Sequence, residues 1–178
     1  MSTTARPPQP EAATTHSARL ALAGITLPVV AAPVAAYEPA VRSGSWVWTS
    51  GQLPLVDGAL AARGKVGAAP GCVTPEDAAV LARVAALNAI AAAAAQAGGV
   101  DRIRRVVKLV GFVASDPAFT GQPGVVNGAS TVLLEVFGEA GAHARSAVGV
   151  AALPLDAPVE MELVVELELE SGPDEPDA

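Results

Sequence analysis

Arg145 and Glu160 are the two residues whose type and place could do chemistry. Arg145 stands just before a β-rich run over 146–152, which Leu153-Pro154-Leu155-Asp156 closes. Glu160 lies near the start of the next run, past the Pro154 turn that brings the chain back. An arginine fork can hold a planar carboxylate through two parallel N–H bonds. A glutamate can hold or deprotonate a water. If the two runs are near neighbours in a sheet, the pair would lie close to one cleft. A plain salt bridge, or an arginine in water, satisfies the same spacing.

Tyr37, Ser50 and Asn127 are polar residues near the ends of expected elements. Each alone fits a structural role: a ring covering the core edge, a turn serine, a capping or solvated asparagine. The two histidines, His16 and His143, have no ligand spacing to each other, to Cys72 or to a carboxylate cluster, so no metal is expected. No phosphate-cradling G-x-x-x-x-G-K-[ST], no G-x-G-x-x-G between a strand and a helix, and no G-x-S-x-G elbow is present. Arg102, Arg104, Arg105 and Lys108 cluster around a hydrophobic run and read as charges on the wet edge of a strand, with an anion-binding patch as the alternative. The net charge of −7 speaks against nucleic acid, whose binders usually carry a basic surface.

Of the 178 residues, 51% are hydrophobic and only 16% charged, against about 25% charged in an average soluble domain. So little charge leaves too little to wet a monomer's surface, and part of that surface is expected to be buried in an oligomer. The lone Cys72 excludes an intramolecular disulfide and a cysteine zinc site. With no secretory leader visible, it points to a reducing cytoplasm. No run reaches the roughly 20 apolar residues of a membrane span.

The elements that must position these residues follow from period and punctuation. Residues 1–15 and 171–178, rich in Pro and small or acidic residues, are expected to be disordered tails around one domain over 16–170, with 16–36 as an extension. A short helix is expected over 17–23, capped by Ser17 and stopped by Gly24. Pro28 and Pro33 force an extended crossing that ends at Tyr37. Residues 40–42 and 46–49 flank Ser43-Gly44-Ser45 as a hairpin, and Asp57-Gly58 leads into a short strand over 59–63. Thr74-Pro75-Glu76-Asp77 starts a helix over 75–97 whose inner face would hold Val80, Leu81, Val84, Leu87, Ala91 and Ala94. Residues 106–113 read as a strand buried on both faces. A second helix over 123–137 would bury Val126, Ser130, Leu133, Leu134 and Phe137. From Val159 to Glu170, apolar residues and, Val164 apart, glutamates alternate strictly, so one face packs on a core. Glu162, Glu166, Glu168 and Glu170 read as its solvated face. The sum is an α+β fold, a mixed or antiparallel sheet with two main helices on one face.

Taken together, Tyr37, the run Trp48-Thr49-Ser50-Gly51-Gln52-Leu53-Pro54, Asn88, Val106-Val107-Lys108-Leu109, Asn127 and the closing pattern Ala144-Arg145-Ser146 … Leu153-Pro154 … Val159-Glu160-Met161-Glu162 resemble the reactive intermediate deaminase family (RidA or YjgF-like, also labelled endoribonuclease L-PSP). The resemblance spans about residues 30–169. It implies a chorismate-mutase-like two-layer sandwich and a homotrimer with clefts between subunits. It implies hydrolysis of enamine/imine intermediates such as 2-aminoacrylate and 2-iminopropionate to a 2-keto acid and ammonia, without cofactor. It puts the carboxylate-binding arginine at Arg145 and the water-handling glutamate at Glu160, with Tyr37, Ser50, Gly51 and Asn127 around the ligand. Three features depart from the usual pattern: Ala147 replaces a common cysteine, the Gly138 to His143 loop is slightly longer, and the N-terminus is extended. The competing functions are a non-enzymatic small-carboxylate binder and, more weakly, a ribonuclease or translation inhibitor.

Overall fold

The computed structural model of the protein describes residues 15–30 and 36–168. The tails expected at 1–15 and 171–178 lie outside it except for Thr15, and the crossing expected through Pro33 lies partly outside it. Along the chain run α1 (His16–Leu22), β1 (Ala40–Ser43), β2 (Trp46–Thr49), β3 (Leu55–Val56), β4 (Ala59–Leu60), α2 (Pro75–Ala97), β5 (Ile103–Ala114), α3 (Gln122–Phe137), β6 (Ala144–Val150) and β7 (Val159–Leu167).

Five strands form one sheet in the order β1-β2-β7-β5-β6. Only β5 and β6 run parallel, joined through α3; the other pairs are antiparallel. The last strand, β7, inserts between the hairpin and β5. Its alternation decides which face is inside: Val159, Met161, Leu163, Val165 and Leu167 are buried, in one cluster with α2, α3, Val47, Val106 and Leu109. The architecture is the two-layer α+β sandwich expected, helices on one face.

α2 begins and ends where its caps require. The Thr74 side chain accepts from Asp77 N, and Gly98 closes the helix in the left-handed region at φ 81°. Its inner face differs from the expected stripe. Val80 is 63% exposed, while Ala82, Ala85, Ala86, Ala89 and Ala93 are fully buried. α2 lies against β7 on one side and α3 on another, and small side chains let it approach both closely. Bulk therefore misreads this helix, whose buried side is alanine. An 18-residue window of α2 has mean hydropathy 1.8, apolar enough for a membrane span, but 61% of it is buried inside the fold.

Other expectations change in detail. α1 is capped by Thr15, whose side chain accepts from Ala18 N; Ser17 instead binds the Asp101 carboxylate through its N–H at 2.8 Å and its hydroxyl at 2.6 Å. That carboxylate lies below the usual range because Ser17 donates to it twice. In α3, Leu134 is 49% exposed, and Val125, Ala129, Val132 and Val136 share the buried face. β5 is buried on one face only: Val106, Leu109 and Val113 are covered, whereas Lys108, Val110 and Phe112 are half-open. Glu162 and Glu166 are likewise half-buried, so only part of the glutamate face is solvated.

Candidate functional site: two halves on opposite faces

Arg145 is the second residue of β6, beside Leu109 of β5. Leu109 points into the core, so Arg145 reaches toward α3. There its Nη1 donates to Asn127 Oδ1 at 2.8 Å and to Ser130 Oγ at 3.1 Å. Asn127 and Ser130 stand three residues apart on one helix face. Both Nη1 hydrogens are thus engaged. The Nε and Nη2 donors, which form the side-on edge of the fork, have no partner among the described residues, and Arg145 has no ion pair among them. The salt-bridge alternative is absent there. Ser130 Oγ also lies 3.1 Å from His143 Nε2, and His143 Nδ1 lies 2.6 Å from Gly141 O. Sequence reasoning left both residues out of the site. The signal was present: His143 and Arg145 sit two apart, the spacing that puts neighbours on one face of a strand.

Glu160 lies on the other face. It stands opposite Phe112, between the buried Val159 and Met161. Gly51 packs directly on its carboxylate, and a Cβ at Gly51 would collide with Glu160 Oε1. Gln52 and Met161 fix this approach by exchanging backbone bonds of 2.8 and 3.0 Å. Thr49 Oγ1 accepts from Leu163 N at 2.9 Å, a further tie between the two segments. Ser50 donates its hydroxyl to Glu38 O at 2.6 Å and its N–H to Pro39 O at 2.9 Å, which holds the segment carrying the exposed Tyr37 beside the Ser50-Gly51 turn. Burial, and then the charge of Glu162, raise the Glu160 carboxyl above its ordinary value. Glu162 is also raised, by burial.

The sequence residues therefore fall into two groups. Arg145 and Asn127 form one, Tyr37, Ser50, Gly51 and Glu160 the other. β5 separates β6 from β7, and the two groups use opposite faces of the sheet, so the condition for Arg145 and Glu160 to share one cleft is not met within a chain. The basic cluster is tied down in part: Arg104 pairs with Glu166 at 3.1 Å and Lys108 Nζ lies 3.0 Å from Ser146 Oγ. A cavity of about 430 Å³ at the far end of β6, lined by Lys65, Ser115, Asp116, Phe119, Gln122 and Gly149 among others, contains none of the expected site residues.

Residues 17–167 match the family model described as "YjgF/chorismate_mutase-like, putative endoribonuclease". Protein TCP17 of Trypanosoma cruzi is 46% identical over 152 residues, covering 85% of this chain and 93% of that protein. Among solved structures, a Shewanella oneidensis protein carrying the same endoribonuclease label superposes with a TM-score of 0.81 at 37% identity, over 86% of this chain and 99% of that one. The Agrobacterium tumefaciens protein Atu1372, of unknown function, gives 0.76 at 43% identity, over 86% and 92%.

Proposed function

Because the chain belongs to the YjgF/chorismate-mutase-like family, we propose that it hydrolyses small enamine or imine acids of the 2-aminoacrylate and 2-iminopropionate type to a 2-keto acid and ammonia. The observation that carries this reading is the state of Arg145. Its Nη1 is anchored by Asn127 and Ser130, while its Nε/Nη2 edge is open and has no carboxylate partner among the described residues. That edge matches the carboxylate of a 2-imino acid bidentately.

The remaining chemistry asks little of the protein. An imine carbon is already electrophilic, so the site must orient it and deliver water. Glu160 takes a proton as the water oxygen bonds to the imine carbon and the C=N π pair moves to nitrogen. The same carboxyl returns the proton to that nitrogen, giving the carbinolamine; it then takes the hydroxyl proton as the keto C=O forms and passes it to the nitrogen as the C–N bond breaks, releasing ammonia. A carboxyl raised above its ordinary value by burial suits both directions of this transfer. Tyr37, Ser50 and Gly51 shape the wall beside Glu160. Since one chain holds the two halves on opposite faces, the cleft is completed between subunits of a homotrimer, Arg145 from one and Glu160 from the next.

The test generates 2-aminoacrylate in situ and follows pyruvate and ammonia. The wild type accelerates their release and Arg145→Ala does not. No acceleration over buffer rejects the reaction; binding of a 2-keto acid without turnover would instead make the protein a small-carboxylate binder. Ribonuclease activity is the weaker reading, given the net charge of −7 and the engagement of Arg104 and Lys108.

A further inference from the structure

We infer that His143 and Ser130 are positioning residues that orient the Arg145 fork through a one-way hydrogen-bond relay, an inference that rests on Arg145 gripping the substrate carboxylate. The direction of each link follows from donor and acceptor inventory. Gly141 O can only accept, so His143 Nδ1, 2.6 Å away, carries the hydrogen. In the neutral ring Nε2 is then a lone pair. Arg145 Nη1 can only donate, so Ser130 Oγ accepts from it at 3.1 Å. The Ser130 hydroxyl hydrogen is left to point at His143 Nε2, 3.1 Å away. The relay runs Arg145 to Ser130 to His143 to Gly141 O, and every donor meets an acceptor.

The backbone that starts this relay is built for it. The turn Gly138–Gly141 leaves α3 and folds back on it. A Cβ at Gly141 would lie 2.7 Å from the Leu133 carbonyl carbon and would collide with its oxygen, so glycine lets the turn close against the helix. This places Gly141 O against the ring of His143, which shares a strand face with Arg145. Ser130, held by His143, supplies what Asn127 alone does not: with Asn127 and Ser130 both taken, the guanidinium has one orientation and its Nε/Nη2 edge one direction. A fork held before the ligand arrives loses less freedom on binding, which is affinity gained without a new contact.

The experiment separates positioning from folding and from the clamp reading itself. Calorimetric titration with pyruvate and steady-state kinetics on 2-aminoacrylate are run on wild type, Arg145→Ala, Ser130→Ala, His143→Phe and His143→Gln. The expected result is a Kd and KM raised about tenfold, the size of one lost hydrogen bond, in Ser130→Ala and His143→Phe. kcat stays within about threefold, and His143→Gln, which keeps an acceptor near the Nε2 position, recovers most of the loss. Unchanged Kd in both variants, or loss that His143→Gln does not recover, overturns the relay. If wild type and Arg145→Ala bind pyruvate alike, the clamp reading fails instead. Nitrogen NMR on the ligand-free protein then decides the relay alone: it requires a protonated Nδ1 and an accepting Nε2 on His143, and slow Arg145 guanidinium rotation that Ser130→Ala makes fast. The opposite tautomer, or rotation indifferent to Ser130→Ala, rejects it.

Discussion

Two features of the fold act on Glu160 in the same direction. The close approach of Gly51 and the neighbouring strands bury half of it, and a second carboxylate, Glu162, stands two residues on along the same face. Both disfavour its charged form. A carboxyl whose folded value is raised contributes stability that is complete below the ordinary glutamate value, and that contribution is lost as pH rises through the raised one. Glu160→Gln removes the ionisation. Its unfolding temperature is expected to match wild type at about pH 4, where both side chains are neutral, and to exceed it at pH 7.5. Turnover of the imine should fall by roughly 10²-fold or more, the usual worth of a positioned acid–base group. A variant that is less stable at pH 7.5 would show that the charged carboxylate is favoured in place. Sequence spacing made Glu160 a candidate through its place at the start of the run. The shift itself was not readable, because it depends on Gly51, more than a hundred positions away.

The segment that carries Gly51 has little secondary structure of its own, and α2 holds it. Asn88, half-buried in the middle of that helix, donates from Nδ2 to Leu53 O at 2.8 Å and to Leu55 O at 3.1 Å. These carbonyls follow directly on the Ser50-Gly51-Gln52 turn. Asn88→Ala leaves both without that donor and is expected to cost about 1–3 kcal/mol in denaturant unfolding. It should also raise KM for the imine, because Gly51 and Ser50 lose their anchor while Arg145 does not. An unchanged midpoint would show that water replaces the amide freely. The elements themselves were readable where local chemistry fixes them. Thr74 and Pro75 start α2 and Gly98 stops it, and strict alternation gave β7 its inner face. The inner face of α2 was not, since alanine buries well without bulk. Nor was the place of β7 between β2 and β5, because nothing local to residues 159–167 says which strand edges it will fill.

Within one chain the sheet leaves an open face on the side away from the helices. Trp46 and Trp48 lie on it with ring centroids 6.2 Å apart, 37% and 41% exposed, beside half-buried Val110, Phe112 and Val164. This apolar surface fits the burial expected from the low charge content of the sequence, and Glu160 lies on the same face. Arg145 lies on the other face, at the edge strand. In the proposed homotrimer, clefts that pair the open-face half of one subunit with the edge-strand half of the next would bring the two together. This makes a prediction that no single-chain site can satisfy. Arg145→Ala and Glu160→Gln are each expected to be inactive alone. When the two are unfolded together and refolded as a mixture, some interfaces receive Arg145 from one variant and Glu160 from the other, and activity returns. In trimers drawn at random from equal amounts, each interface has about a one-in-four chance of being wild type at both residues, so about a quarter of wild-type activity is expected. Light scattering should give three times the chain mass. Failure of the mixture to recover activity, with trimers formed and each parent folded, would place both residues in the same cleft of one chain or remove one of them from the reaction.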